Sequence, residues 1–196
     1  MIYIIRHGQT VLNKAKVLQG RSDHPLNDDG MAEAKAAGQW FRKQSITFSR
    51  VWSSPLVRAV QTAVLAAGET VPIQTDERLL EMDYGPYEGT ALTAPPPEII
   101  TFFSDFVHNP APEGMEQLAD VVKRAGLFME EVRESASEGN ILISTHAILM
   151  KGILEYLTPE SKGSYWTKYL GNCDIYAVEM KHGSFTVPVP VVRAEA

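Results

Sequence analysis

Short apolar runs, each ended by polar residues or turn formers, recur along the chain and predict the strands of a sheet. The run at residues 2–5 is rich in β-branched side chains, and the run at residues 141–144 is apolar over its first three positions. Continuous apolar runs of this length are typical of strands buried on both faces, as in parallel sheets. The predicted strands lie at residues 2–5, around 51–52, and at 71–74, 141–144, 174–179 and 185–189, with a turn at His182-Gly183 between the last two.

Longer segments between these runs repeat apolar residues every three or four positions, which predicts amphipathic helices. Asn27 is a candidate N-cap for the first of them. Ser54 as N-cap and Pro55 at the first helical position are typical of the start of the second. The predicted helices cover residues 31–43, 55–67 and 148–157, a proline-bounded segment within 94–112, and a long segment from 113–116 to about residue 135.

Strands that alternate with helices imply a mostly parallel central sheet between two helical layers. We therefore predict an α/β protein built as a three-layer α/β/α sandwich. The 196 residues are expected to form a single domain. A small, lid-like helical insertion is expected at about residues 90–112, because prolines bound a short phenylalanine-rich segment there.

The composition of the chain argues against some classes of binding partner and some cellular locations. The chain is 44% hydrophobic and carries a net charge of −6, and this acidic balance argues against binding to nucleic acid or to an anionic membrane. The apolar stretch at residues 141–157 contains His146, Lys151 and Glu155, which excludes a transmembrane helix. Cys173 is the only cysteine, so no internal disulfide can form. Because no signal-peptide pattern precedes the first strand, we expect a cytoplasmic protein.

Charged and imidazole side chains follow three of the predicted strands. Arg6 and His7 follow the first strand, Arg58 lies just after the second, and His146 follows the strand at residues 141–144. Ligands in open α/β sheets bind outside the carboxyl ends of the strands. We therefore expect one crevice to collect all four side chains.

Two guanidiniums and two imidazoles suit phosphoryl chemistry. Arginines bind phosphate oxygens through paired, charge-assisted hydrogen bonds. A neutral imidazole is a competent phosphoryl acceptor near neutral pH, and a second imidazole can donate to the phosphoryl oxygens. Such a pocket spreads the negative charge of an in-line transition state, so no metal is required in principle. The absence of CxxC, HExxH, Walker, GxGxxG and GxSxG motifs leaves metal, nucleotide-binding and serine-hydrolase chemistries unsupported.

Several motifs, in order along the chain, carry a resemblance to a known family. They are Arg6-His7-Gly8-Gln9-Thr10 with Asn13, Ser54-Pro55-Leu56-Val57-Arg58-Ala59-Val60-Gln61-Thr62-Ala63, Leu80-Glu81 with Tyr84-Gly85, Tyr87-Glu88-Gly89, and Ser144-Thr145-His146. Any one motif is weak, but the ordered set resembles the histidine phosphatase superfamily, the group that includes cofactor-dependent phosphoglycerate mutase. The resemblance covers residues 1 to about 180.

This resemblance implies a role for each residue of the expected crevice. His7 is the residue that becomes phosphorylated, and Arg6, Arg58 and His146 complete the phosphate pocket. Glu81 would protonate the leaving alkoxide and then deprotonate the attacking water. We expect neither a metal nor a cofactor to be needed.

Four further residues match family positions around the substrate. Asn13, Gln19 and Gly20 match positions that line the phosphate site, and Arg21 is expected to help with the rest of the substrate. The expected partner is a small phosphate ester. A homodimer is compatible with the sequence, which does not decide the oligomeric state.

The resemblance favours a metal-independent phosphatase that hydrolyses a phosphomonoester through a phosphohistidine. A phosphoglycerate mutase is the main alternative, and a non-catalytic module that binds phosphorylated ligands is an alternative of another class. Mutases of the family carry a longer insertion with extra arginines, whereas residues 90–112 contain no Arg or Lys, which favours esters with a less anionic remainder. A binding module is expected to have lost part of the quartet, and all four residues are present. Candidate substrates are α-ribazole phosphate, sugar or nucleoside phosphates, and acid metabolites.

Overall fold

The computed structural model of the chain describes residues 1–135 and 138–192, and of residue 134 only the backbone. The strands are β1 Ile2–Arg6, β2 Arg50–Ser53, β3 Ile73–Thr75, β4 Ile141–Thr145, β5 Ile175–Val178, β6 Met180–Lys181, β7 Ser184–Phe185 and β8 Val189–Pro190. The α-helices are α1 Val11–Lys14, α2 Asp28–Lys43, α3 Val57–Ala67, α4 Pro97–Ser104, α5 Leu118–Ser135 and α6 Ala147–Leu157, and short 3-10 turns lie at Glu77–Leu79, Gly85–Tyr87 and Pro159–Ser161.

The central sheet has six strands in the order β3-β2-β4-β1-β5-β8. β4 pairs in parallel with β1 on one side and with β2 on the other, and β2 pairs in parallel with β3. Only β5 runs against its neighbours, since it is antiparallel to both β1 and β8. The prediction of a mostly parallel sheet is therefore confirmed. Because β1 lies inside the sheet, the residues that follow it emerge near the middle of the sheet edge.

Helices cover both faces of this sheet, as the predicted sandwich requires. Ile2 and Ile4 of β1 face a core formed with α5 and α6, whereas Tyr3 and Ile5 face a second core formed with α2 and α3. The alternation of side chains along a strand thus divides β1 between two buried layers. None of the helices within the described ranges is long and apolar enough to cross a membrane.

The predicted start of α3 is wrong by two residues. Ser54 was expected to cap the helix, but its hydroxyl contacts His146 and the helix begins at Val57. The amide of Val57 instead donates to Asp23 Oδ1 at 2.7 Å, so a carboxylate from a distant loop satisfies the helix start. By contrast, the Asn27 side chain accepts from the Gly30 amide and caps α2 as predicted.

Three other boundaries also differ from their predictions. α5 begins at Leu118 rather than near residue 113, because Gly114 adopts a φ of +86° that a helix cannot contain. The strand expected at residues 71–74 lies at Ile73–Thr75. The His182-Gly183 turn joins β6 to β7, and both of its residues have positive φ, as a two-residue hairpin turn requires. The strand predicted at residues 185–189 is therefore divided between β7 and β8.

The proline-bounded segment does contain a helix, α4. Ile99 and Phe102 are fully buried on its inner face and belong to the same core as α5 and α6. Phe103 and Phe106 lie against Phe102, with ring centroids 5.4 and 4.9 Å from it. The segment is thus anchored by packing, and its function as a lid stays a prediction.

Candidate active site

The parallel strands bring the predicted catalytic side chains to one edge of the sheet. Arg6 is in register with Thr145 across the β1–β4 pair, so His7 and His146 follow their strands at the same level. The two imidazole centroids are 5.0 Å apart, with their planes inclined by 62°. Arg58 reaches the same place from the first turn of α3, where its Nε lies 3.2 Å from His7 Nε2.

Hydrogen bonds define the tautomer of His7. Its Nδ1 lies 2.7 Å from the Gly8 carbonyl oxygen, which can only accept, so Nδ1 carries the proton. Its Nε2 accepts from the Nε–H of Arg58. Nε2 is therefore unprotonated, and its lone pair lies on the side of the ring that faces the guanidinium.

Backbone contacts fix the position of this imidazole. The His7 amide donates to the Thr145 carbonyl at 2.8 Å, and the Asn172 side chain donates to the His7 carbonyl at 3.0 Å. The Gly8 amide donates to Thr62 Oγ1 at 3.0 Å. Asn172 was missed by the sequence analysis, because no local pattern relates it to a residue 165 positions away.

Arg58 is fully buried and held by main-chain carbonyls. Its Nη1 donates to Ser22 O at 2.8 Å and its Nη2 to Gly20 O at 2.6 Å. The Glu88 carboxylate in turn accepts from the Gly20 amide at 2.9 Å and from the Ser22 hydroxyl at 2.6 Å. Gly20, predicted to line the phosphate site, thus contacts the site through Arg58. Glu88 stabilises the loop that carries both carbonyls.

His146 is completely buried at the start of α6. Its Nε2 lies 2.7 Å from Ser54 Oγ, so the serine expected to cap α3 instead orients this ring. Its Nδ1 has no hydrogen-bond partner among the described residues. A buried polar atom left unsatisfied costs about 1–3 kcal/mol.

Two more predicted site residues carry unsatisfied buried donors. Arg6 donates from Nη1 to the Leu170 carbonyl at 2.5 Å, but its Nε is buried without a partner within the described ranges. Gln19 accepts from the Thr10 hydroxyl at 2.7 Å, while its Nε2 is likewise buried and unpartnered. Together with His146 Nδ1, these atoms make a group of unsatisfied polar atoms on residues predicted to bind phosphate.

The Glu81 side chain lies at the N-terminus of α6, the helix that begins directly after His146. Its Oε1 accepts from the amides of Met82 at 2.9 Å and Leu149 at 3.1 Å. The Ile148 amide is shared between Oε1 and Oε2, each at 3.2 Å, and is the one donor to Oε2 among the described residues. Oε2 has spare acceptor capacity, so it is the oxygen that a substrate group could engage.

Asn13 and Arg21 have contacts of their own outside this cluster. Asn13 forms a capping box with Thr10 at the start of α1, through two 3.2 Å hydrogen bonds. Arg21 lies 3.3 Å from Asp83 and 3.6 Å from Glu116, at a partly exposed position. The structure does not bring either side chain into contact with His7, and their predicted substrate contacts stay predictions.

Burial sets the protonation of both imidazoles. It lowers the pKa of His7 well below the usual value, and the positive charges of Arg58 and Arg6 lower it further. Burial, Arg58 and His7 lower the pKa of His146 in the same way. Both rings are therefore neutral at pH 7. Among the described residues, no group of three or more His, Cys, Asp or Glu side chains could hold a metal ion.

The fold and this cluster define an α/β protein with paired imidazoles and guanidiniums at the carboxyl edge of its sheet. The family model of the histidine phosphatase superfamily (branch 1) matches residues 2–191. The chain belongs to this superfamily.

Individual relatives agree with the family match. A protein of Hydrogenobacter thermophilus, provisionally named phosphoserine phosphatase 2, is 30% identical over 92% of this chain and 89% of its own length. A broad-specificity phosphatase of Saccharomyces cerevisiae is 33% identical over 82% of this chain and 71% of its own. The crystal structure of phosphoserine phosphatase from Entamoeba histolytica with 3-phosphoglyceric acid aligns with a TM-score of 0.81 and 25% identity, over 97% of this chain and 94% of that one.

Proposed function

We propose that the protein hydrolyses small phosphomonoesters through a phosphohistidine formed on His7, without a metal. One observation carries the proposal. An imidazole with an unprotonated Nε2 lies beside a buried arginine and a second imidazole, and Arg6, Gln19 and His146 each carry a buried polar atom without a partner among the described residues. A phosphoryl group offers acceptor oxygens for such donors, which would lower the cost of leaving them unpaired.

In the first step, the Nε–H of Arg58 transfers its hydrogen bond from His7 Nε2 to a phosphoryl oxygen. The freed lone pair of Nε2 attacks phosphorus and forms the N–P bond while the bond from phosphorus to the ester oxygen breaks. Glu81, protonated at Oε2, gives its proton to the leaving alkoxide, which departs as an alcohol. The guanidiniums of Arg6 and Arg58 and the Nδ1–H of His146 balance the charge on the phosphoryl oxygens. The His146 proton lies on Nδ1 when the Ser54 hydroxyl donates to Nε2.

In the second step, water attacks the phosphohistidine. The Glu81 carboxylate takes a proton from the water as the new O–P bond forms and the N–P bond breaks. Inorganic phosphate leaves, His7 regains its lone pair, and Glu81 is again protonated. Atoms and charge therefore balance over one turnover.

Two facts favour hydrolysis over mutase activity. Residues 90–112 contain no Arg or Lys, and the packing of Ile99 and Phe102 into the core leaves this segment compact. A mutase has to bind a second phosphate and keep its phosphohistidine from water.

A chromogenic assay with chelator tests the proposal. The protein should release p-nitrophenolate from p-nitrophenyl phosphate at an unchanged rate in excess EDTA. It should release phosphate from 3-phosphoglycerate without forming 2-phosphoglycerate. No turnover, or loss of turnover with EDTA, would contradict a metal-independent phosphatase, and isomerisation would indicate the mutase.

The nucleophile is tested by replacing His7 with Ala. Turnover should fall by about 10³-fold or more, and the acid-labile phosphoenzyme trapped by rapid quenching should disappear. His182→Ala is the matched control, because His182 is an exposed histidine in the β6–β7 turn and should leave both signals unchanged. A phosphoenzyme that survives in His7→Ala would require another nucleophile.

A further inference from the structure

A concave surface lies near the catalytic cluster. This pocket has a volume of about 360 Å³ between α4 and the loop at residues 166–169. Its walls are largely aromatic, and a lysine from α6 contributes to them. The lining side chains used below are Phe103, Phe106, Lys151, Trp166, Lys168 and Tyr169.

Lys151 is an unusual residue for a helix of this core. It is 9% exposed, its Nζ donates to the Trp166 carbonyl at 2.8 Å, and it lies 5.4 Å from the centroid of the Phe106 ring. An ammonium has three N–H donors, and this carbonyl uses one. Burial lowers the pKa of Lys151 to about 8, so the group is still mainly cationic at neutral pH.

This cation lacks a carboxylate of its own. Lys151 forms no ion pair within the described ranges. The charge of Glu81 raises the pKa of Lys151, but the Glu81 carboxylate accepts from the amides of Met82, Ile148 and Leu149. Asp105, which lines the pocket, is engaged by the imidazole of His108 at 2.7 Å. Buried charges are normally paired, so a buried ammonium without an ion pair can accommodate an anion supplied from outside the chain.

The pocket adjoins the catalytic cluster. Lys151 interacts electrostatically with Glu81 and Arg6, which are both cluster residues. Arg6 in turn donates to the carbonyl of Leu170, the residue that follows the pocket-lining Tyr169. The pocket therefore lies on the side of the cluster where Arg6 contacts Leu170.

We propose that the pocket binds the alcohol part of the substrate and that Lys151 recognises a carboxylate on it. The aromatic side chains would contact the short carbon chain, and Lys168 at the exposed rim adds a second positive charge. The proposal rests on the phosphatase function and specifies its substrate class as phosphorylated hydroxy or amino acids. Residues 90–112 contain no Arg or Lys, and we therefore expected a substrate with a less anionic remainder. Lys151 of α6 supplies a positive charge to the same pocket, so a carboxylate on the substrate is compatible with the structure.

A matched pair of substrates tests this assignment. 3-Phosphoglycerate and glycerol 3-phosphate differ only in a carboxylate that is replaced by a hydroxymethyl group. The wild-type protein should prefer 3-phosphoglycerate by about tenfold or more in kcat/KM, the expected effect of a charge-assisted hydrogen bond. Lys151→Met should abolish this preference through a higher KM for 3-phosphoglycerate, and Lys151→Arg should retain most of it.

Controls separate this proposal from the proposed function. p-Nitrophenyl phosphate has no carboxylate, so Lys151→Met should raise the KM for this substrate by a much smaller factor than the KM for 3-phosphoglycerate, and its turnover also reports correct folding. Lys123→Met, on the exposed side of α5, should change no ratio. Equal losses on both matched substrates, or no wild-type preference, would overturn the carboxylate subsite alone. Failure to hydrolyse p-nitrophenyl phosphate would overturn the phosphatase and the subsite with it.

Discussion

The contact between Arg58 and His7 determines what each side chain can do. Both terminal nitrogens of Arg58 donate to loop carbonyls, so only its Nε–H is directed at the imidazole. This bond keeps Nε2 unprotonated and oriented before substrate arrives. A lysine could not replace Arg58, because a single ammonium cannot hold two carbonyls and the imidazole in this planar arrangement. Pre-orientation of this kind lowers the entropic cost of reaching the transition state.

The proposed role of Glu81 as the general acid can be tested by a single substitution. Glu81→Gln should slow hydrolysis of an alkyl phosphate by about 10²-fold or more, because its leaving group must be protonated. Hydrolysis of p-nitrophenyl phosphate should slow by less than about tenfold, because nitrophenolate leaves without a proton. The ratio of the two kcat/KM values is the measurement. Asp83→Asn is the matched control and should leave this ratio unchanged, whereas equal losses on both substrates in Glu81→Gln would assign the acid role elsewhere.

At the scale of the secondary-structure elements, two loops that contact each other hold the side chain of Arg58 in place. The loop at residues 19–22 supplies the carbonyls that bind Arg58, and Glu88 from a second loop accepts from two amides and a hydroxyl of the first. Backbone bonds between Leu18 and residues 89 and 90 extend the contact. The site thus depends on a junction of two irregular segments as well as on the sheet.

This junction predicts the effect of Glu88→Gln. An amide NH₂ would face the donors of Gly20 and Ser22 and displace their loop, which would release Arg58. We expect KM for p-nitrophenyl phosphate and the inhibition constant of inorganic phosphate to rise about tenfold, and Tm to fall by about 3–8 °C. Glu69→Gln, at an exposed position after α3, is the control and should change neither. A lower Tm with unchanged phosphate affinity would show that the junction stabilises the fold without positioning Arg58.

Periodicity in the sequence predicts most of the regular elements, because strands and helices bury their apolar residues at fixed spacing. The termini are less predictable. α3 starts at Val57 because Asp23, 34 positions earlier, accepts from its amide. Motif order also predicts the pairing of His7 with Arg58 and His146, which the parallel strand ends bring together. The supporting contacts from Ser54 and Asn172 depend on loop conformations that a local pattern does not specify.

At the scale of the whole molecule, two neutral imidazoles are buried in a protein whose net charge is −6. The unfolded chain protonates its histidines near pH 6.5, whereas the folded chain resists protonation of His7 and His146 to lower pH. Below pH 6.5 the unfolded state therefore binds more protons than the folded state. The lower pKa values of His7 and His146 in the folded state contribute their full stabilisation above pH 6.5, and this stabilisation is lost as the pH falls.

We predict that the free energy of unfolding depends measurably on pH below pH 6.5. The free energy of unfolding should decrease on acidification from pH 6.5 to 5, by up to about 1.4 kcal/mol per pH unit for each of the two histidines. Urea unfolding at several pH values measures it. The double variant His7→Gln/His146→Gln retains the other titrating groups and should show a shallower slope. An identical slope in both proteins would mean that carboxylates alone cause the acid sensitivity.

The position of β1 inside the sheet has a consequence for biosynthesis. β1 is synthesised long before its two neighbours in the sheet, because β4 and β5 lie more than 130 positions later in the chain. Until then both edges of an apolar strand lack their native partners, and such edges promote aggregation. His7 is therefore synthesised early, but the strand before it pairs with its neighbours only after β4 and β5 have been made. Nascent chains that stall before residue 175 should depend on chaperones that shield β1.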